Sequence, residues 1–185
     1  HGRQMASFIA ILLLFLASHS IPARPAMRAR LVMVFGERGY LSLYGLVSTG
    51  LLAWLIVAAR RAPYVPLWAP TLEQYWAPVL VMPLALFLLI GGLLSPNPLS
   101  VGFRGRTFDP MRPGIVEITR HPVLWGFALW GLSHVIANGD LVAVIMFGGF
   151  ALFALAAMPA IDGRKRRELG AQWEQFAGFA PLIPF

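Results

Sequence analysis

With 185 residues, 58% of them hydrophobic and only 12% charged, the chain carries more apolar surface than a soluble domain of this length can cover. The formal net charge of +7 does not point to nucleic acid, because the basic residues sit in loops that flank hydrophobic stretches. Cysteine is absent, which excludes disulfides, thiolate-ligated or covalently attached haem, iron–sulfur clusters and cysteine nucleophiles.

In chain order, residues 1–4 are expected to be an expression remnant ahead of a native start at Met5. Five apolar stretches follow that cross or nearly cross a bilayer: 5–21, 40–59, 76–94, 122–137 and 141–158. The first is followed by Arg24, Arg28 and Arg30, the pattern of a retained anchor rather than a signal peptide. Between the second and third, Tyr64, Trp68, Tyr75 and Trp76 are expected to form an aromatic belt at one membrane interface. The loop 95–119 is long for a small bundle; its Gly102, Arg104, Gly105 and Arg106 suit anionic headgroups or another anionic group. The fourth stretch is short and ends in Asn138-Gly139-Asp140, a tight turn with Asp140 as N-cap, so the last two spans form a hairpin. In the tail 162–178, Leu169, Trp173 and Phe176 recur at helical spacing opposite basic residues, as in an amphipathic segment lying on the membrane surface. Asp162, Glu168 and Glu174 are expected to pair with the tail's own arginines. The fold class is an all-α polytopic membrane bundle of about five transmembrane helices with a C-terminal interfacial amphipathic segment. Twelve of the fifteen basic residues then fall on one face, which places the N-terminus outside and the C-terminus in the cytoplasm.

Ionisable groups at membrane depth are costly, so they have a partner or a task. His19, His121 and His134 are the candidates, and neutral imidazole is a common axial ligand of haem iron. About 20 Å of helix separates His121 from His134, so they cannot share one iron, and a bis-histidine site pairs His19 with one of the two. Membrane depth favours His121; the small Gly131 and the aromatic Phe127 and Trp130 near His134 favour the other. Gly131 either admits a flat macrocycle or lets another helix pack closely. The bland alternative is that each histidine hydrogen-bonds a carbonyl or its neighbouring serine, Ser18, Ser20 or Ser133. Arg120 and His121, with Pro122 opening a helix, suit either an anionic cofactor or a simple membrane-boundary pair.

Together, Thr119-Arg120-His121-Pro122, Leu129-Trp130, His134 and Ala137-Asn138-Gly139-Asp140 resemble the signature of the NnrU family. Supporting pieces are Gly36-Glu37-Arg38, Tyr40, Leu43-Tyr44, Leu46-Val47-Ser48, Lys165-Arg166-Arg167, Leu169-Gly170 and Trp173. This resemblance implies one domain over residues 5–185 in the bacterial inner membrane, linked to nitrite and nitric oxide metabolism and so to denitrification or respiratory-chain partners. The same stretch resembles the cis-zeta-carotene isomerases, which hold haem b non-covalently. That resemblance implies His19 and His134 as axial ligands, with His121, Arg120 and Gly131 also at the cofactor. It also implies cis–trans isomerisation of a hydrophobic polyene such as a carotenoid, which a cavity lined by Phe127, Trp130 and Phe147 would favour. Gly131 replaces a cysteine that those enzymes use in a redox-linked ligand change, so that change is unavailable here. A further resemblance, to isoprenylcysteine and phospholipid methyltransferases, implies S-adenosylmethionine held by Arg120-His121-Pro122 and a downstream acidic pair. Here the pair reads Ile161-Asp162, and Val123-Leu124 replaces the usual aromatic residue. A non-enzymatic factor that handles haem for a reductase is the third reading.

Overall fold

Apolar runs of this length satisfy their backbone groups in hydrocarbon only by coiling into helices. The computed structural model, which describes residues 2–21, 24–101 and 108–185, is helical accordingly. Gly102, Arg104, Gly105 and Arg106 lie outside the described residues. The chain divides into two compact units, the first ending at Val65 and the second beginning at Pro66.

The first unit holds α1, Gly2–Ser20, packed on α2, Pro25–Arg61. Pro25 opens α2 at a position where its missing N–H costs nothing. Gly36 then interrupts the helix at φ +68°, ψ 166°, a conformation that glycine adopts without steric penalty, and α2 continues as a second arm. The Arg28–Glu37 ion pair bridges that kink, and the Arg28 guanidinium lies over the Tyr40 ring. The arm before Gly36 was not expected from the apolar pattern, because its arginines break the hydrophobic run.

The second unit contains α3, Leu72–Leu94; α4, Ile115–Ile118; α5, Pro122–Asn138; α6, Leu141–Leu169; and α7, Ala171–Ala177. The short α5 is the central helix, packed on α3 and on α6. Glycines make both approaches close. A Cβ on Gly126 would meet the Ala85 carbonyl of α3, and one on Gly131 would come within 2.6 Å of the Phe147 carbonyl of α6. At the turn, Gly139 takes φ +69° and Asp140 Oδ1 accepts from the Ala143 amide, so the expected N-cap is in place. The backbone amides of Leu67 and Trp68 both donate to the Gly139 carbonyl. Trp68 therefore packs onto this turn, whereas Tyr64, Tyr75 and Trp76 are exposed as an interfacial belt requires.

Helix α6 continues past Pro159 as far as Leu169, carrying Asp162 and the basic run with it. Gly170, at φ +56°, breaks the chain into α7. Trp173 and Phe176 of α7 pack with Leu88, Leu99, Ile115 and Val116, so the apolar side of the tail is anchored on the protein.

Among the described residues, four helices, α1, α2, α3 and α6, are long and apolar enough to cross a membrane. The chain is a multi-pass membrane protein, and α5 is the fifth apolar helix, shorter and more enclosed than the rest. Side chains such as Leu80 and Leu152, about 70% exposed, are normal on a lipid-facing surface.

Candidate functional site

Thr119, Arg120 and His121 enter α5 through a network drawn from four parts of the second unit. The Arg120 guanidinium grips Asp162 of α6 through Nε (3.1 and 3.0 Å) and Nη2 (2.7 Å), gives Nη1 to the Ala180 carbonyl, and lies over the Trp173 ring. His121, fully buried, has Nε2 2.8 Å from Asp162 Oδ1 and Nδ1 2.6 Å from Ser100 Oγ. Asn97 positions Ser100 by accepting from the amides of Leu99 and Ser100, and donates to the Arg120 carbonyl. Residues 180–182 close over the element as a strap. The Arg120 amide donates to the Pro181 carbonyl, while Thr119 Oγ1 and Trp125 Nε1 both donate to that of Leu182.

Burial pushes the His121 imidazole below its ordinary range; the Asp162 carboxylate works against that shift and the Arg120 charge adds to it. Neutral His121 then donates Nε2–H to Asp162 and accepts the Ser100 hydroxyl proton at Nδ1. Both ring nitrogens are therefore in use. The expectation that Asp162 pairs with the tail's own arginines is corrected: its partners are Arg120 and His121, brought close because α6 runs back alongside α5. Glu168 and Glu174 do pair within the tail, with Arg164 and Lys165 and with Arg166 respectively.

His134 lies further along α5 and differs in kind. Its Nδ1 stands 2.8 Å from the Trp130 carbonyl, which can only accept, so Nδ1 carries the proton. No hydrogen bond to its Nε2 is present among the described residues, and the ring is only partly buried. Trp130, one turn earlier, and Phe147 of α6 lie against it at centroid distances of 5.7 and 5.0 Å. Ser133 Oγ bonds the Trp130 carbonyl as well. Trp130 meets Phe127 and Phe147 edge to face and stacks on Phe150, so the aromatic residues named for a cavity pack against one another. Gly131 is buried against the α6 backbone, where it lets the two helices pack closely.

His19 belongs to the first unit and repeats the pattern. Its Nδ1 stands 2.8 Å from the Phe15 carbonyl, and Ser18 Oγ bonds the same carbonyl. Phe15, one turn earlier, and Tyr44 of α2 flank the ring at 4.3 and 5.6 Å. Sequence reading singled out the histidines and the adjacent serines, and Tyr44 only as part of the family resemblance, but not Ser100, Asn97 or the strap. No cluster of three or more His, Asp or Glu side chains able to hold a bare metal ion occurs among the described residues.

The family profile described as NnrU protein matches residues 7–185. No curated protein and no solved structure matches the chain.

Proposed function

The chain belongs to the NnrU family, and on that premise we propose that it is a haem b protein of the bacterial inner membrane, with His19 and His134 as axial ligands. One observation carries this reading. Each of these histidines donates Nδ1–H to a carbonyl of its own helix, so each keeps the Nε2 lone pair to give. A ligating histidine usually donates its other nitrogen to such an acceptor. His121 is the contrast within the same chain: it is buried with both nitrogens engaged, and so has no donor to offer. The absence of cysteine leaves imidazole as the strongest haem ligand available.

Haem held by His19 and His134 would supply a one-electron iron couple suited to electron transfer in nitrite and nitric oxide metabolism. Isomerisation is less favoured, since Gly131 stands where the ligand-exchanging cysteine would be. Binding of S-adenosylmethionine is less favoured because Arg120, His121 and Asp162 are spent on one another and on the strap. The cytoplasmic side is assigned to the end of the second unit that carries Arg112, Arg120 and the basic run of α6.

Absorption spectra of the detergent-purified protein, oxidised and dithionite-reduced, test the reading. A Soret band with sharp reduced alpha and beta bands is expected, lost in His19→Ala and in His134→Ala. Failure of the wild type to take up haem on reconstitution refutes it.

A further inference from the structure

We infer that the chain contains two copies of one imidazole-presenting module, and that the ring contributed by the neighbouring helix, Tyr44 in one and Phe147 in the other, is the positioning residue of each. The inference rests on the haem reading for its purpose but not for its geometry.

The modules match part for part. In each, an aromatic residue, Phe15 or Trp130, stands four positions before the histidine. Its carbonyl takes the histidine Nδ1–H at 2.8 Å in both copies. The serine just before the histidine bonds that same carbonyl, at 2.7 Å for Ser18 and 3.0 Å for Ser133. Serine oxygen and Nδ1 lie 3.2 Å apart in the first copy and 3.5 Å in the second. A helix that packs alongside then adds a second ring against the imidazole, Tyr44 from α2 or Phe147 from α6.

Each part removes one freedom of the ring. The carbonyl fixes the tautomer, because an acceptor at Nδ1 leaves Nε2 unprotonated in the neutral imidazole. It also fixes which nitrogen turns back toward the helix. The remaining freedom is rotation about χ2, which is broad for histidine. Contact with two rings narrows it, so these aromatics set the plane in which Nε2 is offered. The ring from its own helix travels with the histidine and cannot brace it independently; the ring from the neighbouring helix can. An imidazole held by packing and a second-shell hydrogen bond presents its donor nitrogen at lower entropic cost than a free one. Among the described residues no pair of aromatic rings stands against His121, which engages both nitrogens instead.

The test uses the full-length protein in detergent with Tyr44→Leu, Tyr44→Phe, Phe147→Leu and Phe147→Tyr, each confirmed as folded by circular dichroism. Haem titration and the electron paramagnetic resonance of the ferric form are read together, since the latter responds to the planes of the axial imidazoles. Both leucine variants should weaken haem binding about 10-fold or more, as loss of second-shell support does, and shift the resonance. The phenylalanine and tyrosine variants should restore both. Leucine variants that match the wild type in affinity and resonance overturn the inference. If the wild type takes up no haem, the function proposed above fails and the module is judged on nitrogen-15 histidine spectra of the apoprotein. Unprotonated Nε2 signals for His19 and His134 that broaden in the leucine variants uphold it; protonated Nε2, or signals unchanged by the substitutions, overturn it.

Discussion

Asp162 is where one side chain decides most. It neutralises Arg120 and holds the fully buried His121, and both members of the Arg120–Asp162 pair are more than four-fifths buried. Removing one partner of a buried ion pair leaves the other charged and unsatisfied, at about 3–5 kcal/mol. Asp162→Ala should lower the thermal unfolding midpoint in detergent accordingly, whereas Glu168→Ala, which breaks only half-exposed pairs, should change stability by about 1 kcal/mol or less. Equal effects would mean that the network is not buried as described. His121 adds a pH dependence whose sign follows from its depressed value. The unfolded chain protonates this histidine near pH 6.5, its ordinary value, while the folded chain resists until a lower pH. The stabilisation is therefore complete above about pH 6.5 and is lost as pH falls from there through the folded value. Melting curves between about pH 7.5 and pH 5 should show the wild type losing more stability on acidification than His121→Gln; parallel curves would contradict this. The histidines and Arg120 were legible in the sequence as costly groups in an apolar chain, and so were the carbonyl and serine partners of His19 and His134, but the mutual pairing of Arg120, His121 and Asp162 was not. Asp162 lies 42 residues beyond Arg120, and only the antiparallel course of α5 and α6 brings the two together.

Helix packing around α5 depends on the glycines that face its neighbours. A Cβ on Gly131 would come within 2.6 Å of the Phe147 carbonyl and 3.0 Å of the Ala151 Cβ, and neither can give without parting the helices. Gly131→Ala should therefore destabilise by about 1–3 kcal/mol, the usual cost of overpacking. Gly45→Ala makes the control, since an added Cβ there meets nothing within 4 Å. It should stabilise, by up to about 1 kcal/mol, through helix propensity alone. Thermal melts that rank the two variants the other way would place the α5–α6 contact elsewhere. Sequence periodicity could not choose between packing and ligand space at Gly131, because a small residue beside aromatics serves either. The apolar stretches located the spans well, yet missed the helical arm before Gly36 and the continuation of α6 through Pro159. Hydropathy marks where a helix is wet by lipid, whereas helicity continues through Arg28, Arg30 and the basic run after Asp162 as long as the backbone bonds are kept.

The second unit is polarised from end to end. One end holds the 66–72 segment and the α5–α6 turn, tied together by the Leu67 and Trp68 amides on the Gly139 carbonyl. The other end holds the C-terminus of α3, the start of α5 and the end of α6. Every Arg and Lys among the described residues of this unit, Arg112, Arg120, Arg164, Lys165, Arg166 and Arg167, lies at that second end. Loop cations are retained on the cytoplasmic side during insertion, so the asymmetry is a statement about orientation as well as solubility. Because the native chain has no cysteine, any introduced thiol is unique. Leu67→Cys and Asn138→Cys should react with a membrane-impermeant maleimide in intact cells, and Arg167→Cys only after the membrane is opened. All three side chains are exposed, so failure to label reports the side of the membrane and not burial. Labelling of Arg167→Cys in intact cells would invert the orientation, and labelling of both ends from one side would mean that α5 and α6 do not cross. In the expected result, the network of Arg120, His121 and Asp162 sits at the cytoplasmic end of the unit and His134 deeper along α5. That division leaves the charged cluster to brace the fold at the interface, while the imidazole of His134, with Nδ1 on its own helix, stands apart from it along α5.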